Sequence, residues 1–155
     1  IELNQNDNAE EISEKLSNLA AEKILENIDD ILDDRSTFID QDHSKATYAK
    51  KIEKLEGEIN WRDKPSKTIG KINGLFPTPG AFFKFDGERY KILKAQIGNG
   101  TGKVGEVISD KLEIVCGNNQ SIKIIEIQRQ GKNPQKIGEF MLGSKLKKGT
   151  LLLNG

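Results

Sequence analysis

The chain has 155 residues, of which 35% are hydrophobic and 31% are charged, and its formal net charge is zero. This length suits one domain, or a small domain with an appendage, and no apolar run reaches the roughly 18 to 20 residues that span a bilayer. A single cysteine excludes an intramolecular disulfide, so we expect a cytoplasmic protein without a membrane segment.

The zero net charge hides two halves of opposite sign. Residues 1–63 hold 17 Asp and Glu against 8 Lys and Arg, whereas residues 64–155 hold 7 against 16. A positive surplus of this size is the electrostatic footprint of a domain that approaches phosphate, and it is also a common solubility device. Charge alone leaves both interpretations open.

The first 44 residues predict a helical segment followed by an irregular stretch. Asn8 and Glu11 have the spacing of a capping box, and apolar residues then recur near helical spacing through Leu32. We expect one long or two short amphipathic helices. The polar stretch 33–44 is typical of a connector and contains the only histidine, His43, for which a solvated side chain is the favoured interpretation.

Residues 64–155 predict a short helix followed by a series of strands. Pro65 suits the first turn of that helix, and Asp86-Gly87 is a strong hairpin signal. Apolar alternation breaks at Ile92-Leu93, which indicates a β-bulge, and a second short helix is predicted at 137–142. Strand-like runs occur at 81–85, 89–97, 104–109, 112–116, 121–128 and 150–153.

These elements predict an α+β fold. We expect an N-terminal helical segment and a linker, followed by a small antiparallel OB-like β-barrel with short helices. Short strands at close spacing with one interrupting helix are typical of such a barrel.

No catalytic or metal site is predicted in this chain. The loop GNGTGKVG at 98–105 lacks the first glycine of the Walker A spacing, because that position is Ile97, and it leads into a strand. Cys116 ends an apolar run, where a small buried side chain is usual. One histidine in an irregular loop builds no nucleophilic triad.

Basic residues are the distinctive chemistry of the second half. On a small barrel, clusters of them can converge on one side and form a groove that follows phosphates. Aromatic side chains are few and fit the core, so no base-reading platform is predicted. The candidates for nucleic-acid contact in this half are Lys84, Arg89, Lys91, Lys94, Arg129, Lys132, Lys136, Lys145, Lys147 and Lys148.

Several segments carry a resemblance to a known family. The stretches ATYAKKIEKLEGEINW, FPTPGAFFKFDGERYKILKA, LEIVCGNN and EFMLGSKLKKGTLLLN are similar to the C-terminal part of the methionyl-tRNA formyltransferase family. The resemblance implies that residues 1–44 are the helical tail of a truncated Rossmann-like formyltransferase domain. It implies a linker at 45–63 and an OB-like tRNA-binding domain at 64–155.

The resemblance also implies a function. Members transfer a formyl group from 10-formyltetrahydrofolate to the amino group of initiator methionyl-tRNA for translation initiation. The family's catalytic Asn, His and Asp belong to a motif that would lie upstream of Ile1, so we expect this chain to be an inactive, monomeric fragment. It would bind and orient tRNA, while the missing N-terminal domain would bind the co-substrate.

By the same resemblance, the linker contributes contacts of its own. Lys50 and Lys51 would lie against the acceptor arm of the tRNA, and Trp61 would pack the linker onto the barrel. Two alternatives stay open: the C-terminal part of a sugar-nucleotide formyltransferase, and a stand-alone nucleic-acid-binding OB-like barrel. The basic second half and the TYAKK sequence favour tRNA.

Overall fold

The computed structural model describes residues 1–4 and 6–152, and the chain divides into two compact units. The first unit comprises Ile1–Ile52, and the second begins at Glu53. None of the helices in the described ranges combines the length and the apolar character that a membrane crossing requires.

The first unit is built on one long helix, α1 (Ala9–Leu32). The Asn8 side chain accepts a hydrogen bond from the Glu11 backbone N–H at 3.0 Å, and the Glu11 carboxylate accepts one from the Asn8 N–H at 3.0 Å. This reciprocal pair confirms the predicted capping box. No side chain of α1 is buried, so its apolar stripe lies exposed. The following stretch contains only a short 3-10 turn at His43–Lys45 among its described elements.

The second unit begins with a 3-10 turn at Lys54–Gly57. Its first α-helix is α2 (Pro65–Gly74), which starts at the proline that the sequence predicted. Ile72 and Thr68 face the interior of this unit and are buried. The predicted second helix is also confirmed, as α3 (Ile137–Leu142), with Phe140 buried.

Five antiparallel strands form one sheet in the second unit. They run in the order β1-β2-β4-β3, with β5 paired to the far end of β4. The strands are β1 (Ala81–Phe85), β2 (Glu88–Gly98), β3 (Glu113–Cys116), β4 (Gln120–Arg129) and β5 (Gln135–Lys136).

The predicted hairpin and bulge both occur. Asp86 and Gly87 take φ values of 51° and 74°, the left-handed pair that a two-residue hairpin turn requires. The register between β2 and β4 shifts on either side of Lys94, next to the predicted break at Ile92-Leu93. The bulge bends β2 and so curves the sheet.

Two predicted strands are reduced to isolated bridges. Residues 104–109 contribute only the pairings of Glu106 with Leu151 and of Val107 with Ile114. Gly105 lies in the left-handed region at φ 79°, which interrupts the extended backbone that a strand needs. Of the predicted strand at 150–153, Leu153 lies outside the described residues. Strand β5 was missed, because two polar residues carry no strand pattern.

The sheet is open across the described residues, since β1 and β3 pair on one side only with named strands. The mixed helix and antiparallel sheet confirm the α+β class, whereas closure into an OB-like barrel is not confirmed. The core includes Trp61, which is 2% exposed and meets the Phe83 ring edge-on at a centroid distance of 5.7 Å. Residues just before α2 are therefore anchored on β1.

Candidate nucleic-acid interface

Two cavities in the second unit collect basic side chains from the hairpin and from the end of β4. The first, of about 360 Å³, lies between the Thr78–Pro79 turn, β2 and β4. Arg89 and Lys91 reach it from β2, and Arg129 reaches it from β4. Among the described residues, its lining consists of Lys54, Thr78, Pro79, Arg89, Lys91, Gln128, Arg129, Gln130 and Gly131.

Arg89 is held in the first cavity by an aromatic face. Its guanidinium carbon lies 3.8 Å from the centroid of the Phe82 ring, a close cation–π contact. One terminal nitrogen donates to the Pro79 carbonyl at 3.4 Å, and the buried Nε–H has no hydrogen-bond partner in the described part of the chain. Arg89 is thus a fixed cation with unused donor capacity.

Lys91 stands beside Arg89 on the same strand. Its Nζ donates to the Pro77 carbonyl at 3.2 Å. Burial of the ammonium group, and then the nearby charge of Arg89, lower the pKa of Lys91. Two like charges held side by side, one of them partly desolvated, form an electrostatic site that favours an anion.

Arg129 differs from these two residues because a carboxylate neutralises it. Glu88 accepts hydrogen bonds from its Nε at 2.5 Å and from Nη2 at 2.6 Å, across strands β2 and β4. The Arg129 hydrogen bond, followed by one from the Tyr90 hydroxyl at 2.9 Å, lowers the pKa of Glu88. Burial and the Glu88 hydrogen bond raise the pKa of Tyr90 to about 12.

The second cavity, of about 420 Å³, lies on the other side of Arg129. Two further predicted cations, Lys132 and Lys145, line it together with Arg129 and the acidic Glu139. Lys145 donates to Asp86 at 2.8 Å, and this contact raises the pKa of Lys145. The second cavity therefore carries a more compensated charge than the first.

The other candidate cations line neither cavity. Lys84 is paired with Glu58 at 3.3 Å. Lys50 and Lys51 are exposed in the first unit and lie in no helix or strand. The remaining four are exposed on the second unit and form no ion pair within the described residues: Lys94, Lys136, Lys147 and Lys148.

Sequence reasoning missed several residues of this interface. The roles of Phe82 under Arg89 and of Glu88 against Arg129 depend on cross-strand register, which places Tyr90 opposite Arg129 and Lys91 opposite Gln128. The hairpin signal predicted which strands turn, but it carried no information on how β4 aligns with β2. Lys54 was missed because it lies before the first helix or strand that the sequence predicts in this part of the chain.

Other chemistry is not supported by the described residues. They contain no group of three or more His, Cys, Asp and Glu that could hold a metal ion. His43 is exposed in its 3-10 turn. Cys116 is buried in the core, and burial raises the pKa of its thiol to about 11, which keeps it protonated and unreactive at neutral pH.

The comparison with a family model and the comparisons with individual proteins agree with one another. The family model described as "Formyl transferase, C-terminal domain" matches residues 51–145. The chain is 62% identical over 154 residues to a methionyl-tRNA formyltransferase of Pelagibacter ubique, covering 99% of this chain and 50% of that protein. It is 39% identical over 156 residues to a methionyl-tRNA formyltransferase of Rickettsia massiliae, covering 97% of this chain and 50% of that protein. The chain thus spans about half the length of these curated relatives.

Solved structures share the fold. A variant of HypX from Aquifex aeolicus superposes with a TM-score of 0.67 at 18% identity, over 92% of this chain and 27% of that one. HypX in complex with tetrahydrofolic acid superposes with a TM-score of 0.60 at 20% identity, over 80% of this chain and 22% of that one. At these identities the likeness concerns the fold alone.

Proposed function

Because the chain belongs to the formyl transferase C-terminal domain family, we propose that it is the tRNA-holding half of a methionyl-tRNA formyltransferase. The observation that carries this proposal is the 62% identity to the Pelagibacter ubique enzyme over 99% of the chain. The parent enzyme would transfer a formyl group from 10-formyltetrahydrofolate to the amino group of initiator methionyl-tRNA. It would act in the cytoplasm as a monomer.

The formyl donor does not fit this chain. The first cavity is lined by cationic, amide and small side chains, and it contains no aromatic residue. In the second, Tyr90 and Phe140 are only 5% and 6% exposed, so neither offers an open face to a planar pterin ring. We therefore assign 10-formyltetrahydrofolate to the remaining half of such an enzyme, and no catalytic step to the residues described here.

The basic side chains would position the tRNA. Lysine and arginine contacts to phosphates fix the register and orientation of a nucleic acid without reading its sequence. Accurate placement of the aminoacyl end accounts for a large share of rate enhancement when the reacting group lies at one end of a large substrate. In this proposal Lys50 and Lys51 contact the acceptor arm, and the cations around the two cavities contact the body of the tRNA.

The division of labour along the chain is also proposed. Residues 1–44 would end the catalytic domain, 45–63 would form the linker, and 64–155 would form the OB-like tRNA-binding domain. Packing of Trp61 on Phe83 supports the last part of the linker as an anchor on that domain. The identities to methionyl-tRNA formyltransferases favour this proposal over a sugar-nucleotide formyltransferase and over a stand-alone nucleic-acid-binding barrel.

A binding experiment separates the three functions. The 155-residue chain is titrated with initiator methionyl-tRNA, with an unrelated single-stranded RNA and with a uridine diphosphate amino sugar. We expect preferential binding of the tRNA, weakening steeply as salt rises, and no binding of the sugar nucleotide. Binding of the sugar nucleotide without the tRNA would contradict the proposal. Equal affinity for both RNAs would favour the stand-alone barrel.

The linker contact has a matched control. Lys50→Ala combined with Lys51→Ala should weaken tRNA binding and reduce the salt slope by about two, because each phosphate contact contributes about one. Lys45→Ala serves as the control, because Lys45 lies in the same irregular stretch and pairs with Asp42 at 3.1 Å. An equal loss in the control would contradict a specific role for Lys50 and Lys51.

A further inference from the structure

We propose that the first cavity binds a single phosphate group between Arg89 and Lys91. The inference rests on the proposed function in one respect: the phosphate is assigned to the backbone of the bound RNA. Because a free phosphate would offer the same chemistry, the test below distinguishes the two sources.

The first observation is an imbalance of charge. Four cationic residues line the cavity, Lys54, Arg89, Lys91 and Arg129, and no acidic residue does. Among these four, and within the described residues, Arg129 alone is neutralised, by the two hydrogen bonds that it donates to Glu88 across the sheet. Arg89 and Lys91, which are neighbours on one strand face, form no ion pair with a carboxylate among the described residues.

The second observation is that both cations are held in place without an anion. Phe82 supports the guanidinium of Arg89 from one side at 3.8 Å, and the Pro79 carbonyl engages its tip at 3.4 Å. The Pro77 carbonyl fixes the ammonium of Lys91 at 3.2 Å. Neither cation has to lose much side-chain freedom when a ligand enters, so the cost of binding is low.

The third observation concerns the kind of anion. A phosphate presents several acceptor oxygens and can bridge a planar guanidinium and a compact ammonium at once. The remaining lining includes Thr78 and Gln130, whose side-chain hydroxyl and amide are donor types that suit a tetrahedral oxyanion. Since no aromatic side chain lines the cavity, it has no stacking surface for a base. The cavity therefore suits the phosphate and not the nucleobase.

In the direct test, the full chain is titrated with inorganic phosphate, and binding is monitored through the NMR signal of the Arg89 side-chain Nε–H. The reference titration uses chloride at the same ionic strength. We expect a saturable shift of this signal with phosphate and none with chloride. No shift beyond the chloride reference would overturn the proposal.

Two variants and one control test the assignment to residues. Lys91→Gln removes one charge and keeps most of the side-chain stem, and Arg89→Lys keeps the charge but removes the planar fork. Each should weaken phosphate binding at least tenfold. Lys111→Gln, at an exposed cation that is not among the residues lining the cavity, should leave it unchanged. Thermal melting followed by circular dichroism identifies any of the three variants that fail to fold. The shift of the Arg89 Nε–H signal in the wild-type chain tests the proposal without the variants.

Competition identifies the source of the phosphate. If the cavity holds an RNA phosphate, saturating initiator tRNA should abolish the response to inorganic phosphate, and Lys91→Gln should weaken tRNA binding severalfold. Simultaneous binding of tRNA and phosphate would overturn the RNA assignment while the proposed function stands. If the chain binds phosphate but no tRNA, the proposed function fails and a site for free phosphate is supported.

Discussion

The side chain of Lys91 lies against Gly80, at the place that the Cβ of any other residue at position 80 would occupy. A Cβ on Gly80 would lie 2.6 Å from both Cδ and Cε of Lys91, and the backbone there has φ +80°. The aliphatic part of the Lys91 side chain thus lies over Gly80. From there the Lys91 ammonium group reaches the Pro77 carbonyl at the edge of the first cavity.

Gly80→Ala should therefore reduce both stability and RNA binding. The left-handed backbone strains any residue with a Cβ, at a cost of about 1 kcal/mol or more in the free energy of unfolding. The methyl group also displaces the stem of Lys91 and so its charge, which should weaken tRNA binding severalfold. Urea unfolding and tRNA titration measure the two effects separately.

Gly87→Ala provides the control for that prediction. Gly87 has φ +74°, and a Cβ there meets nothing within 4 Å. The substitution should cost similar stability with no loss of RNA affinity. An equal loss of affinity in both variants would show that strain alone, and not the position of Lys91, weakens binding.

Tyr90 should ionise only at high pH. Its pKa is raised to about 12, first by burial and then by the hydrogen bond to Glu88. Because the chain has two tyrosines, Tyr48→Phe leaves Tyr90 as the single one, and its ionisation can be followed by absorbance at 295 nm. A midpoint close to the ordinary value of 10.0 would contradict the structure around Tyr90.

The same shift predicts how stability depends on alkaline pH. The folded pKa of Tyr90 lies above the unfolded one, so its contribution to stability is fully present below pH 10.0 and is lost as pH rises toward about 12. Tyr90→Phe should remove this dependence. Urea unfolding between these pH values measures it for both proteins.

Removal of Glu88 should strengthen RNA binding and weaken the fold at neutral pH. Glu88→Gln frees Arg129 and removes a negative charge next to the first cavity, so tRNA affinity should rise severalfold and the salt slope should steepen by about one. Asp110→Asn is a matched control, because Asp110 is exposed and lines neither cavity. An equal gain in tRNA affinity in the control would show that the effect arises from net charge alone.

The stability effect of Glu88 should vanish in acid. Its folded pKa lies below the ordinary value of 4.5, so the contribution of the ion pair is present above that pH and is lost as pH falls through the folded pKa. The wild-type chain should be more stable than Glu88→Gln at pH 7, and the difference should shrink below pH 4.5. Urea unfolding across this range tests the direction. A difference that grows toward low pH would contradict it.

Trp61 should be required for the stability of the second unit. It is 2% exposed, and its ring contacts Phe83 of β1. Trp61→Ala should lower the free energy of unfolding by about 3–5 kcal/mol, as large aromatic truncations in cores do. Trp61→Phe should cost less, because the indole N–H has no hydrogen-bond partner to lose within the described residues. Urea unfolding followed by circular dichroism measures both.

The sequence predicted those parts of the fold that local chemistry determines. Asn8 with Glu11, Pro65, and the turn at Asp86-Gly87 act within a few residues, and the structure shows each as predicted. The strand predicted at 104–109 failed because the left-handed Gly105 and hydrogen bonds to distant segments determine the backbone there. Closure of the sheet likewise depends on long-range pairing, which no local pattern encodes.

The sequence predicted which basic residues the candidate site contains, but not how they are arranged. The sequence indicated which lysines and arginines are available, and it could not indicate which of them are neutralised. Lys84, Arg129 and Lys145 are paired with acids that lie 26, 41 and 59 residues away in the chain. Arg89 and Lys91 have no acidic partner in the described part of the chain, and this difference emerges from the register of β2 with its neighbours.

The most direct test of the proposed tRNA-holding function compares two variants of equal net charge in a salt series with initiator methionyl-tRNA. One variant replaces with Gln four cations that form no ion pair within the described ranges: Lys50, Lys51, Lys91 and Lys132. The other replaces four cations that form ion pairs and are not candidate contacts: Lys15, Lys23, Lys45 and Lys67. We expect the first to reduce the slope of log affinity against log salt by about three to four, and the second to change it far less. Equal losses in the two variants, or no tRNA binding by the wild-type chain at low salt, would contradict a tRNA-holding function.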